Sequence, residues 1–169
     1  MSTTPTEKTT IPSGLDTRVL ARVLEEGYGP GAWHGADLKA AVADVSPALA
    51  LWRPAPGRHN IAELALHHAF YLHSVRGRLL AAPQQPFAVT GSEGQDFFEV
   101  DDRSGLNWAG IVALLDAEQR QLVRAIADIG AGRAEATLSE SERFDVVLGI
   151  TCHAVYHAGQ VQLLKRLHG

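Results

Sequence analysis

The chain has 169 residues, 46% of them hydrophobic and 20% charged, with fifteen Lys and Arg against nineteen Asp and Glu for a formal charge of −4. That is ordinary composition for one globular domain, and slight acidity without a basic stripe argues against a nucleic-acid partner. No apolar run approaches the roughly 18 residues of a membrane span, and no charged-then-apolar signal pattern opens the chain. Cys152 is the one cysteine, which excludes an intrachain disulfide and any cysteine-built metal cluster. The expectation is a cytoplasmic protein in which any bound metal is held by His and carboxylate.

Residues 1–13 hold turn formers and no periodic apolar face, and read as a flexible leader ahead of a single domain over 14–169. Leu15, Val19, Leu20, Val23 and Leu24 recur at helical spacing and predict a helix over 15–26. Tyr28-Gly29-Pro30-Gly31 ends it. A short helix is expected over 36–44, and Ser46-Pro47 reads as the N-cap and first turn of another piece. Residues 53–57 form a Pro- and Gly-rich loop. A long helix is expected over 60–80, with Asn60 as N-cap and Glu63 in the capping-box position. Residues 83–104 read as a long ordered loop with a short extended piece at 97–100, of a length that usually covers something. Helical periodicity returns over 106–129 and stops at Gly130 and Gly132. The last helix is expected over 140–167, with Ser139 as cap and Glu142 completing a capping box. No strand-like alternation, repeat or low-complexity tract is present. Long amphipathic helices with one shorter helix before them predict an all-α fold, a four-helix bundle.

Eight histidines stand out against three Tyr and one Met. His153 and His157 are four residues apart, so on a helix their rings project from one face and can converge on an ion. Val146, Gly149, Ile150, Gln160 and Leu164 share that stripe, so the pair is expected to point inward. Two partly buried histidines satisfied by carbonyls or hydroxyls remain an equal reading of the spacing. A helical pair is only half a metal shell, and Ala154 excludes the H-E-x-x-H arrangement. A third ligand must come from another helix, and His67, central between Leu64 and Phe70, is the best candidate. His68 lies about 100° further round and is expected to face a neighbour or solvent. It should be nearly silent for metal. His59, His73 and His168 read as solvated or locally bonded rings. His34, in Trp33-His34-Gly35, reads as a cavity wall or an aromatic-packing residue.

Three separated segments resemble the DinB/YfiT-like metal-binding superfamily. Residues 58–67, RHNIAELALH, resemble its second-helix motif, in which a polar residue and Ile precede a Glu and a ligand His. Residues 150–160, ITCHAVYHAGQ, resemble its other half, H-x-x-x-H-x-G-Q. Ala32-Trp33-His34-Gly35 is also similar to many members. The resemblance implies an up-up-down-down four-helix bundle holding a divalent metal, zinc or nickel, by His67, His153 and His157. Members of that superfamily often dimerise and some are thiol S-transferases using a low-molecular-weight thiol, which makes both expectations here, with hydrolysis at the metal as the other enzymatic expectation. Three neutral imidazoles leave a fourth position open, as in catalytic rather than structural zinc sites.

Glu63, one turn before His67, and Gln160, three residues after His157, are candidates to orient ligand rings, though Glu63 equally serves as a cap. Tyr71 and Tyr156 read as core residues and Cys152 as packing. The first functional expectation is a metal-dependent enzyme acting on a small molecule. The alternative is a non-catalytic metal-binding bundle serving as a structural, sensing or interaction module, which a fourth ligand such as Asp96 or Glu99 would favour. Three imidazoles do not by themselves choose among zinc, nickel, copper and iron.

Overall fold

The computed structural model describes residues 17–90, 96–101 and 103–169, and among them forms six helices and no strand. In chain order these are α1 Thr17–Gly27, α2 Leu38–Ala43, α3 Pro47–Leu51, α4 Ile61–Leu79, α5 Trp108–Gly130 and α6 Glu140–His168. The leader expected at 1–13 and the first residues of the expected opening helix lie outside the described residues.

The helix starts follow from local chemistry. A helix leaves its first N–H groups without partners, and a preceding Asp, Asn or Ser can supply one. Asn60 Oδ1 accepts the Glu63 N–H at 2.8 Å, and Asn107 does the same for Gly110 at 2.8 Å. Ser139 and Glu142 close the full reciprocal capping box at the start of α6. Asp37 caps α2, and Ser46 caps α3 with Pro47 in its first turn. The extended piece expected at 97–100 forms no strand. Its side chains are drawn into the core instead: Phe98 and Val100 are buried, and Asn60 Nδ2 donates to the Val100 carbonyl at 2.8 Å.

α1 packs on α5 and α6, and α4 packs on the same two helices, while α2 adds to α6 and α3 to α4. The chain just after α4 is bonded to the segment just before α6, through Ala81 N–H to Glu135 O and Thr137 N–H to Leu79 O, both 3.1 Å. The C-terminal end of α4 therefore meets the N-terminal end of α6, and the two helices run antiparallel. His67 lies 12 residues before the end of α4 and His153 lies 13 after the start of α6. At 1.5 Å per residue both sit about 18–20 Å from that junction, so antiparallel packing brings them level.

α4 departs from the amphipathic helix that the sequence suggests. Every residue from Ile61 to Ala69 is buried, because α5, α6, α3 and the 96–100 segment enclose its first half. A helix covered on all sides has no solvent face to receive its polar side chains.

Gly27 sets the approach of α1 to α6. A Cβ there would stand 2.9 Å from Ala154 Cβ and 3.0 Å from the Thr151 carbonyl oxygen, on the turn that carries His153. Both neighbours are backbone or backbone-fixed, so they cannot rotate away. Gly27→Ala should cost about 1–3 kcal/mol, the usual range for overpacking a close contact, read as a lower midpoint in urea unfolding.

Candidate metal centre

Three imidazoles converge between α4 and α6. His67 Nε2 lies 3.1 Å from His153 Nε2, and His157 Nε2 lies 2.9 Å from the same atom. One ligand atom from each of the three rings falls within 4.8 Å of the others, and no fourth His, Cys or carboxylate joins this group among the described residues. Nitrogens bound tetrahedrally to one ion at about 2.0–2.1 Å stand about 3.3 Å apart. The spacing thus needs little change to admit an ion.

The rings also present the right atoms. His67 Nδ1–H donates to the Asp96 backbone carbonyl at 2.7 Å, and a carbonyl can only accept. His157 Nδ1–H donates to Gln160 Oε1 at 2.6 Å, while Gln160 Nε2 donates to the Tyr156 hydroxyl at 3.3 Å. With Nδ1 protonated in both rings, the Nε2 lone pairs of His67 and His157 point into the cluster. Such outer bonds fix tautomer and orientation at metal-binding histidines.

His67 and His157 are buried and His153 is half-buried at the edge of the inner face of α6. The buried stripe of α6 runs through Val147, Ile150, Ala154, Ala158 and Val161. Gly149, expected on the inward stripe, is exposed. It lines a groove of about 510 Å³ with Tyr71, Val75, Val146, Ile150 and His153, and Arg78 and Glu142 stand among its walls.

Glu63 does not orient His67 directly. Its carboxylate is tied to the Arg53 guanidinium, to His59 Nδ1 at 2.9 Å and to the Val100 N–H at 3.1 Å, while its backbone takes the Asn60 cap. The carboxylate thereby holds the 96–100 segment in place. That segment supplies the Asp96 carbonyl, and Phe97 lies stacked between the rings of His59 and His67 with centroids 3.8 Å from each. The effect of Glu63 on His67 is transmitted through this loop. His59 is accordingly no freely solvated ring.

The remaining expectations fare differently. His68, expected to face a neighbour or solvent, faces the neighbour: it is fully buried with Nδ1 3.1 Å from His153 Nδ1. His73 is buried and bonded to Glu118 on α5 and to Arg76. His168 is exposed, as a solvated ring would be, and packs edge-on against Trp52. His34, expected as a cavity wall or aromatic-packing residue, is exposed and held by the Glu26 carbonyl at 2.7 Å. Tyr156 is 63% exposed and Cys152 is exposed, so neither fills the core. Tyr71 is half-buried and donates to the Asp96 carboxylate at 2.7 Å, while Glu99 is exposed. The sequence offers Asp96 only as a possible fourth ligand and shows neither its carbonyl nor Phe97 as the partner of His67, because their loop comes 29 and 30 residues after His67 and only packing returns it. The adjacent His67-His68 pair in an apolar stretch was the available sign of His68.

The sequence model of the DinB superfamily matches residues 32–161, which include all three convergent histidines and Gln160. No curated protein and no solved structure matches the chain.

Burial, aided by the neighbouring imidazoles His157 and His67, pushes His153 down to about 4. Burial likewise brings His157 to about 4 against the opposing bond from Gln160, and lowers His67. All three rings are therefore neutral at pH 7, as metal ligation requires. The sign for stability follows. Between pH 6.5 and about 4 the unfolded chain takes up protons that the folded cluster refuses, so stability falls as pH falls across that window. The metal-free protein should melt at progressively lower temperature from pH 7 to pH 4.5, and His153→Leu should flatten that slope. An equal slope in both proteins would show that the cluster does not titrate this way.

Proposed function

The chain belongs to the DinB superfamily, and on that premise we propose that it holds one divalent metal ion with His67, His153 and His157 and acts as a metal-dependent transferase or hydrolase on a small molecule. The observation that carries this reading is the convergence of three imidazole Nε2 atoms, two of them turned inward by outer hydrogen bonds. Zinc or nickel suits such a set of borderline nitrogen donors. The helix pairings of α1 and α4 with α5 and α6 support an up-up-down-down four-helix bundle as the frame.

An enzyme rather than a static module is favoured by the ligand count. Structural zinc sites are closed by four protein ligands, whereas catalytic sites keep one position open. Asp96 and Glu99 were the loop residues able to close this one. Asp96 instead accepts from Tyr71, and Glu99 faces solvent. A bound ion supplies Lewis acidity and makes a thiol or water more acidic at neutral pH.

The chain's own groups then have distinct tasks. Gln160 and the Asp96 carbonyl keep His157 and His67 aimed. Phe97 covers the His67 ring and excludes water from that side. The bond from Tyr71 is the main cause holding the Asp96 carboxyl below its usual range, so a charged carboxylate stands beside the cluster at pH 7, placed to receive a proton from an incoming thiol or water. The groove along Tyr71, Val75 and Ile150 leads to the half-buried His153 and is the substrate's route. With three neutral ligands the loaded site keeps the full charge of the ion and favours an anionic group such as a thiolate. No helix among the described residues is long and apolar enough to cross a membrane, in keeping with a cytoplasmic protein, and a homodimer is compatible with this arrangement.

Elemental analysis of the purified protein beside His67→Ala tests the ligand set. About one equivalent of zinc or nickel in the parent and little in the variant is expected. No uptake by the parent, even after reconstitution, returns the cluster to core packing. A second variant tests the route. A Cβ at Gly149 meets nothing within 4 Å, so Gly149→Leu should fold and load metal normally. It should weaken the thiolate-to-metal absorption band that benzyl mercaptan induces in the cobalt-loaded parent. An unchanged thiol titration would place the route elsewhere.

A further inference from the structure

Two of the three convergent rings are oriented by an oxygen that can only accept. The third is not. His153 Nδ1 faces another histidine, His68, at 3.1 Å. Its other nitrogen, Nε2, faces His67 and His157 at 3.1 and 2.9 Å. A neutral imidazole carries one N–H, so the proton on His153 sits either inside the cluster or on the His68 side.

His68 is fully buried, and its far nitrogen, Nε2, is buried without a hydrogen-bond partner among the described residues. A buried polar atom left alone is disfavoured and calls for an explanation. Nothing on α4 or α5 uses that nitrogen. The ring is held in place by enclosure alone, with its one polar contact made to His153.

Resting on the three-histidine site proposed above, we infer that His68 is the positioning residue for His153: it accepts the His153 Nδ1–H and so leaves His153 Nε2 free to bind an ion. When His153 Nε2 is bound to a metal, its N–H must lie on Nδ1. His68 Nδ1 must then be the acceptor, and the His68 proton lies on the unpartnered Nε2. The Asp96 carbonyl, Gln160 and His68 thus form a complete outer set, one acceptor for each ligand ring. His68 differs from the other two because histidine can also donate from Nδ1. Without an ion the shared proton can lie either way round; an ion on His153 Nε2 admits one arrangement.

This inference runs against the expectation that His68 is nearly silent for metal. Outer partners of ligand histidines typically affect metal affinity by roughly 10–100-fold. The test compares the full-length parent with His68→Leu, which keeps an apolar side chain in the enclosed space, and His68→Asn, whose Oδ1 replaces the accepting Nδ1. Zinc affinity is measured by competition with a chromophoric chelator, and unfolding of each metal-free protein is recorded in parallel. His68→Leu should lose roughly 10–100-fold in zinc affinity, and His68→Asn should recover most of it. Long-range nitrogen NMR of the zinc-loaded parent should find the proton of His153 on Nδ1 and that of His68 on Nε2.

A His68→Leu protein that binds zinc as tightly as the parent overturns the inference, as does a His68→Asn protein that falls equally far. A zinc-loaded parent with the His68 proton on Nδ1 overturns it without recourse to any variant. A parent that takes up no zinc overturns the site reading and this inference together, which separates that failure from the others.

Discussion

The buried carboxylate of Glu63 is the constraint on which the candidate site depends. Burial alone raises the carboxyl, but Arg53, the Val100 N–H and His59 more than offset this and hold it below its ordinary value. A buried charge is tolerated only when it is paired and its lone pairs are filled, and here the partners come from two separate stretches of chain, the α3–α4 connection and the loop before α5. Arg53 belongs to the segment after α3, His59 to the approach to α4, and Val100 to the loop before α5. Arg53 also donates to the Arg58 carbonyl at 2.7 Å, so the network closes on itself. One side chain therefore pins two loops to the first turn of α4.

The consequence for chemistry is indirect but specific. With Val100 and Asn60 fixed, the 96–100 segment lies across α4, and its Asp96 carbonyl is available to the His67 ring. Phe97 fills the space between His59 and His67. The same segment delivers the Asp96 carboxylate to Tyr71. A capping position, a salt bridge and an aromatic sandwich thus combine to orient a single nitrogen. On the opposite side, α6 supplies two rings at helical spacing and carries the Gln160 that aims one of them. Short-range design on α6 and long-range design around α4 meet at the imidazole cluster. Neutral rings and inward lone pairs are what metal ligation asks of histidine.

Much of this was legible in the sequence, for reasons that differ by residue. The helix starts at Asn60 and Ser139 were readable because a cap acts on N–H groups two or three residues away. The His153 and His157 pair was readable because helical geometry places residues four apart on one face. Gln160 was readable for the same reason. The assignment of Cys152 and Tyr156 to the interior failed because periodicity names an apolar stripe without saying how far neighbouring elements wrap around it. α6 is covered on one side only, and Tyr156 and Cys152 fall outside that cover. On α4 the sequence left open whether His68 faces a neighbour or solvent. An amphipathic reading gives each helix a wet face, yet the first half of α4 is enclosed, and the ring faces its neighbour His153.

The sequence by itself determined the all-α class, the helix limits to within a few residues, the caps and the candidate ligand residues, since each depends on neighbours within one or two turns. Only the tertiary structure decided what stands opposite each of them. The His67 and His153 contact joins positions 86 apart, and the Glu63 and Val100 contact joins positions 37 apart. Such pairings follow from how α4 and α6 register against each other and from how the loop folds back, and these are set by packing of the whole core. What a histidine can do depends on what its nitrogens face, and for His68 the group faced is His153, 85 positions further along the chain.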